Sequence, residues 1–395
     1  MSMLKKIKTK HFDVGDGYPI YYIADIAANH GGDLGKAKEL IFAAAEAGAS
    51  AAKFQNFTAE SLVSDVGFNS LDVMAGHQSK WKDSVFESYK KASLSLDWSQ
   101  ELMATAHNAG IDYFTSAYSI DLLSATLPYL DAIKIGSGDL SYHDLIIEAQ
   151  QFDKPLFLAT GASDLREVEL AVNNIDLDRN LFCLMQCNTD YTAEPEDDKS
   201  QIENRLRNIN LRCLETFSRK FPHAILGLSD HTHGHLTVLG AVGLFDCAVV
   251  EKHFTFDNSL EGQDHSFSMT PMTWRRMVDE VEDLRLEVQG VGDWDQRYRL
   301  TAARCENAKD LDLILGDGVK RVMENEMKTR VVQRRSVCLS QDLKLGSVLS
   351  EDNLCFLRPF PENSFQPFES DQLIGKVLNV DLKKGTPILR QNIAN

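Results

Sequence analysis

Two short segments near the middle of the chain carry side chains that could share one piece of chemistry. Ala224 to Leu228 is an apolar run of strand length, and Ser229, Asp230 and His231 follow at its carboxyl end, with His233 and His235 just beyond. About one strand-helix unit later, Ala248 to Val250 repeats the pattern and ends in Glu251, Lys252 and His253. If the two runs are neighbouring parallel strands, His231 and His253 arrive at one rim, where two imidazoles could hold a metal ion. The plainer reading is that each histidine closes its strand through ordinary hydrogen bonds; matching positions in successive units favour the metal. His233 and His235 are better placed to start the following helix, and His30 to serve as a hydrogen-bonding group of its loop, than to act as ligands.

The elements that must position these groups recur along the chain. Strands are expected at Ile20–Ala27, Ala51–Phe57, Asp112–Ser116, Ala132–Ile135, Leu156–Ala159 and Leu181–Gln186, ahead of the two already named, with helices between them. Asp33 is a helix cap before Leu34–Ala47, and Gly48 is its stop. Eight such units favour a closed (β/α)8 barrel over an open doubly wound sheet, whose Gly-rich GxGxxG turn is absent. Asp25, Lys53, Gln55, Ser116, Lys134, Ser137, Asp139, Thr160, Ser229, His231, Glu251 and His253 all fall at carboxyl ends of these strands, the rim where barrel enzymes keep their sites. The rhythm breaks at Thr58–Ser95, a polar stretch carrying Gly67, Gly76, His77, Trp81 and Tyr89, long enough to be a lid or a surface insertion. The expected organisation is a barrel over residues 1–289, a helical extension over 290–329 and a small β-rich module over 330–395.

Composition narrows the partners. The net charge of −17 argues against nucleic acid or an anionic membrane surface, which need a basic face. It leaves room for a small anionic substrate if cations gather locally, and Lys53, Lys134 and Lys252 are candidates. No stretch approaches a membrane span, so a cytoplasmic location is expected. The seven cysteines are scattered without a CxxC pair and read as reduced, buried hydrophobes.

Taken in order, several segments resemble the N-acetylneuraminate (sialic acid) synthase family over nearly the whole chain. They are Ala24–Gly32, Ala52–Gln55, Lys134–Asp139, Gly227–Thr232, Glu251–Thr255 and Gly262–His265, followed by a carboxyl-terminal stretch like the family's antifreeze-like (SAF) domain. The resemblance implies a barrel enzyme that condenses phosphoenolpyruvate with an open-chain acylamino hexose, typically N-acetylmannosamine, giving a nine-carbon 2-keto acid and phosphate. It implies that His231 and His253 ligate a divalent metal, usually manganese, with magnesium or cobalt as substitutes. Lys53, Lys134, Ser137, Thr160 and Ser229 would hold phosphoenolpyruvate, with Ser116 beside them. Gln55, Tyr191 and Asp264 would lie near the sugar. Arg358 would be the arginine that a domain-swapped homodimer inserts into its partner's site.

The chemistry suits those roles. Two histidines leave open positions on a Lewis acid, and lysines and hydroxyls stabilise a departing phosphate. Asp25 and Asp139 could move protons. Both stand where the family has Glu, one methylene longer. Ser116-Ala117-Tyr118 replaces a Thr-Pro-Phe, Ala159 a serine, and Tyr191-Thr192-Ala193-Glu194 a Tyr-Pro-Thr-Pro. These departures point to a divergent member, with acceptor sugars of the legionaminic or pseudaminic type in view. Two other readings stay open: a non-catalytic sugar or phosphosugar binder on the same barrel, and a pyruvate-dependent aldolase.

Overall fold

The structure is a computed structural model describing residues 5–71, 83–177, 182–191, 198–260, 262 and 264–394; Gly76, His77, Trp81, Thr192–Glu194 and Gln263 lie outside them. Eight parallel strands close into a barrel: β3 (Tyr21–Asp25), β4 (Ala51–Asn56), β5 (Asp112–Ala117), β6 (Ala132–Ile135), β7 (Leu156–Ala159), β8 (Phe182–Cys187), β9 (Ile225–Asp230) and β10 (Val249–His253), with β10 pairing back to β3. These are the expected eight strands, within three residues at the ends.

The barrel closes because alternate side chains fill it. Tyr21, Phe114 and Phe157 stack inside, with ring centroids 5.8 and 5.6 Å apart. Opposite them β9 must be slim: a Cβ on Gly227 would sit 2.7 Å from Cys183 Sγ and 2.8 Å from Met185 Cγ. Above this layer the inward positions turn polar, which makes the upper rim a site.

Outside, helices face the sheet. Leu34–Glu46 starts at Asp33, whose carboxylate accepts from Lys36 N at 3.0 Å. Helix Leu236–Phe245 is buried from Thr237 to Phe245 because Pro271–Val288, Trp294–Ala302 and Ala308–Leu315 pack against it. A short hairpin that the sequence reading does not anticipate, β1 (Lys6–Lys8) with β2 (Asp13–Gly15), lies near the amino ends of the strands, where Lys5 Nζ donates to Ala224 O at 2.9 Å.

The last part of the chain pairs β11 (Ser336–Leu339) with β12 (Leu354–Leu357) around a small core that includes Val337, Leu339, Leu349 and Leu373. The Thr58–Ser95 insertion supplies helices Ala59–Leu62, Asp65–Asn69 and Val85–Ala92. They contribute Leu62, Val63, Phe68 and Tyr89 to an apolar cluster with Phe57, Tyr118 and Val332. The insertion is therefore the surface on which the carboxyl-terminal module sits.

Candidate active site

Parallel pairing places the key groups level. Asp25 is opposite both Lys53 and His253, Gln55 opposite Ser116, Ser116 opposite Lys134, and Ser229 opposite Glu251. Since these residues share one parity along their strands, their side chains enter the barrel mouth together. The cavity they line also takes in Ser137, Tyr191, His231, Asp264 and Arg358.

Two carboxylates and two lysines form its floor. Lys53 Nζ donates to Asp25 Oδ2 at 2.6 Å, and Gln55 Nε2 approaches the same oxygen at 3.3 Å. Lys134 Nζ donates to Glu251 Oε1 at 2.9 Å, with Lys53 Nζ 3.7 Å and Ser229 Oγ 3.3 Å from that oxygen. Burial pushes the Asp25 carboxyl up, against the pull of Lys53. Burial would do the same to Glu251, but Lys134 and Lys53 overcome it and hold that carboxyl at about 2. Glu251 Oε2 is buried with no partner among the described residues, an acceptor left over for a bound hydroxyl or water. Glu251, which the sequence reading leaves as a rim residue without a role, is thus central to the floor.

His231 and His253 face each other with ring centroids 5.4 Å apart, packed against Tyr191 and Phe267. Burial lowers His231 to about 4, helped by His253, and lowers His253 to about 3, helped by Lys53. Both imidazoles are therefore neutral at physiological pH, the form that binds a metal. His231 Nδ1 lies 3.0 Å from Asn188 O, a donor contact that turns its other nitrogen into an acceptor, while His253 Nδ1 is buried without a partner among the described residues. Among the described residues no three His, Cys, Asp or Glu side chains converge at ligating geometry. The donor set suits a divalent cation, which the two neutral imidazoles of His231 and His253 would hold. Asp264, on the wall, is raised to about 7 by burial and by Asp25.

Three expectations are corrected. Lys252 has the opposite parity from Glu251 and His253, so it points behind the sheet, where it pairs with Asp230 and donates to Thr232 O at 2.8 Å. Thr160 does not line the cavity; its hydroxyl donates to Met185 O at 2.9 Å and ties β7 to β8. Asp139 is not a free proton carrier, because Arg335 occupies one carboxylate oxygen and Arg358 stands 3.7 Å from the other. Arg358 lines the cavity, and just before its module Glu326 Oε1 accepts from Ala162 N at 2.8 Å and from Thr189 N at 2.9 Å. His30 and His235 behave as expected, His30 accepting from Gly32 N at 3.0 Å and His235 preceding helix Leu236–Phe245 with Nε2 2.7 Å from Glu280. Residues to which the sequence reading assigns no site role complete one wall: Phe57, Tyr89 and Tyr118 line it, and the Arg358 guanidinium lies 5.2 Å from the Tyr118 ring centre.

Comparison with known proteins agrees with this geometry. The NeuB family model matches residues 40–292 and the SAF domain model residues 334–394. The chain is 30% identical over 390 residues to the N,N'-diacetyllegionaminic acid synthase of Legionella pneumophila, covering 96% of each. It is 29% identical over 370 residues to the pseudaminic acid synthase of Campylobacter jejuni serotype O:2, covering 93% of this chain and 94% of that one. The crystal structure of the Bacillus subtilis spore coat polysaccharide biosynthesis protein SpsE superposes with a TM-score of 0.75 at 25% identity, covering 99% of both chains.

Proposed function

The chain belongs to the NeuB family, a synthase barrel with a carboxyl-terminal SAF domain, and from that premise we propose that it condenses phosphoenolpyruvate with an open-chain acylamino hexose to give a sialic-acid-like 2-keto acid and phosphate. As an enzyme it is a transferase that forms carbon-carbon bonds. The observation that carries the reading is the floor of the cavity, where Lys53 and Lys134 stand on either side of ionised Glu251 beside the hydroxyls of Ser116, Ser137 and Ser229. Such a set binds a compact polyanion and stabilises the phosphate as it leaves. The relative named for a di-N-acetylated product favours an acceptor with two acylamino groups, and Phe57, Tyr89, Tyr118 and Arg358 offer an apolar, cationic wall for them.

The bookkeeping is simple. A bond forms between the enol carbon of phosphoenolpyruvate and the sugar aldehyde, water adds at the phosphate-bearing carbon, and the bond to phosphate breaks. His231 and His253 would hold a divalent cation, manganese in our reading, which supplies Lewis acidity to the aldehyde oxygen. Asp25, 3.6 Å from His253 Nε2 and hydrogen-bonded to Lys53, is placed to take a proton from the attacking water, and its raised pKa makes it a better base than an exposed aspartate. Lys53, raised by Asp25 and Glu251 against burial, stays charged through the cycle. Because phosphoenolpyruvate is a cytoplasmic metabolite, this reading also places the protein in the cytoplasm.

The test is phosphate release from phosphoenolpyruvate with manganese, acceptor by acceptor, on purified protein. Release with a di-N-acylated hexose is expected. Silence across the panel, on protein shown to bind manganese and sugar, would turn the reading into a binding protein. Condensation with pyruvate and no phosphate requirement would make it an aldolase.

A further inference from the structure

The residue that aims Arg358 lies outside the cavity. Arg335, at the start of the SAF domain, has a side chain 1% exposed, yet its guanidinium is bound on three sides. Nε donates to Asp139, Nη1 to Ser61 O at 3.0 Å and Phe356 O at 2.6 Å, and Nη2 to Tyr118 O. The plane sits 5.4 Å from the Tyr142 ring centre. One side chain therefore joins the loop after β5, the loop after β6, the insertion and the SAF strand β12. Asp139, fixed this way, turns its second oxygen toward Arg358 Nη2 at 3.7 Å. Arg358 is then held by Tyr89 Oη at 3.2 Å and by its backbone, whose N donates to Leu62 O at 2.9 Å and whose O accepts from Ser64 N at 2.8 Å. The approach is close: a Cβ on Gly138 would lie 2.5 Å from Gln333 O and 2.9 Å from Arg358 Nη2.

We propose that Arg335 is a positioning residue that acts through Asp139 to hold Arg358 at the sugar side of the cavity. A planar fork is required for this, since a lysine ammonium in its place cannot span carboxylate and carbonyls in one plane. Asp139 in turn keeps a carboxylate between two guanidiniums and out of reach of the anionic substrate. The inference rests on the proposed reaction only for its kinetic readout.

Arg335→Lys keeps the charge and separates aiming from folding. With the acceptor found active, KM for the sugar should rise about tenfold while KM for phosphoenolpyruvate stays within about twofold. In an Arg358→Ala background the same change should cost less than about twofold, because the two residues act as one unit. Equal rises in both KM values, or a full additional loss in the double variant, would overturn the proposal. If no acceptor turns over, the reaction is what has failed, and hydrogen exchange reads the latch directly. Arg335→Lys should then speed exchange at the Ser64 and Arg358 amides about tenfold or more and leave Val250 in β10 unchanged; unaltered protection at Ser64 and Arg358 would overturn it.

Discussion

At the scale of single residues, the cavity works by holding opposite charges in unequal environments. Asp25 and Glu251 are both buried carboxylates, yet Glu251 stands between two lysines and is held at about 2, whereas burial prevails at Asp25 and raises it. Environments that diverge in this way assign the static role to Glu251 and the proton-moving role to Asp25. Asp25→Asn keeps shape and Lys53 contact but removes the base, so kcat should fall by about a hundredfold or more, with manganese affinity little changed by titration calorimetry. A drop smaller than about threefold would show that the base is elsewhere. His30 gives a second test at this scale, on stability. It is 2% exposed, its Nδ1 accepts from Gly32 N, and burial, then Lys36, lowers it to about 4 from an ordinary 6.5. The folded state thus favours the neutral ring. Its contribution is complete above pH about 6.5 and is lost as pH falls toward 4, where the unfolded chain binds the proton and the folded one resists it. By pH 5 the loss reaches about 2 kcal/mol. His30→Asn offers an oxygen where Nδ1 stood, so the fall in unfolding free energy between pH 7 and pH 5 should shrink by about that amount in urea titrations.

At the scale of elements, parity decides what each rim residue can do. A strand sends alternate side chains to opposite faces, which is why Lys53 and Gln55 share the cavity and Lys252 leaves it. The eight strands and the histidine pair were legible because each lies in an apolar run ending in polar residues. The parity of Lys252 was legible too, from its place between Glu251 and His253. The β1–β2 hairpin was not, since strands of three residues carry too few side chains to show a period. Nor was the fate of Asp139: its partner Arg335 is 196 residues away, and no local pattern announces a contact made by docking. Thr160 had the right place at a strand end, but its hydroxyl turned to the neighbouring strand's carbonyl. Docking in turn depends on the bare backbone of the loop after β6. Gly138→Ala would push a methyl against Gln333 O and Arg358 Nη2, atoms of the incoming chain with little room to retreat. We expect KM for the sugar to rise about fivefold or more with phosphoenolpyruvate affinity kept; an unchanged sugar KM would mean that the SAF domain is not seated this tightly.

At the scale of the whole molecule, the question is whether one chain makes one site. The barrel alone supplies the two lysines, the two histidines, Asp25 and Glu251, and the SAF domain adds Arg358. What joins them is residues 316–335, which are fastened to their own rim. Leu165 N donates to Lys320 O at 3.1 Å, Lys320 Nζ to Gln186 Oε1 at 3.1 Å, and Asn325 exchanges side-chain hydrogen bonds with Asn188 at 3.0 and 3.1 Å. Arg334, buried beside Arg335, donates to Ala162 O and Glu167 at 3.0 Å each. In an exchange of SAF domains between subunits the same contacts would be made on the partner's identical rim, so the buried charges of Glu326 and Arg334 are paired in either arrangement. Mixed protein tells the two arrangements apart. If each chain closes its own site, unfolding and refolding Arg358→Ala together with His253→Ala, each much less active than wild type, returns no more activity than the two variants give separately, because each chain keeps its own defect. If subunits exchanged their SAF domains, a mixed dimer would assemble one intact site from the His253 barrel of one chain and the Arg358 of the other. With random pairing, half the dimers would be mixed, and about a quarter of wild-type activity would appear. Recovery near that level would show that the contacts of residues 316–335 are made across a dimer, and its absence would show that each chain closes on its own barrel.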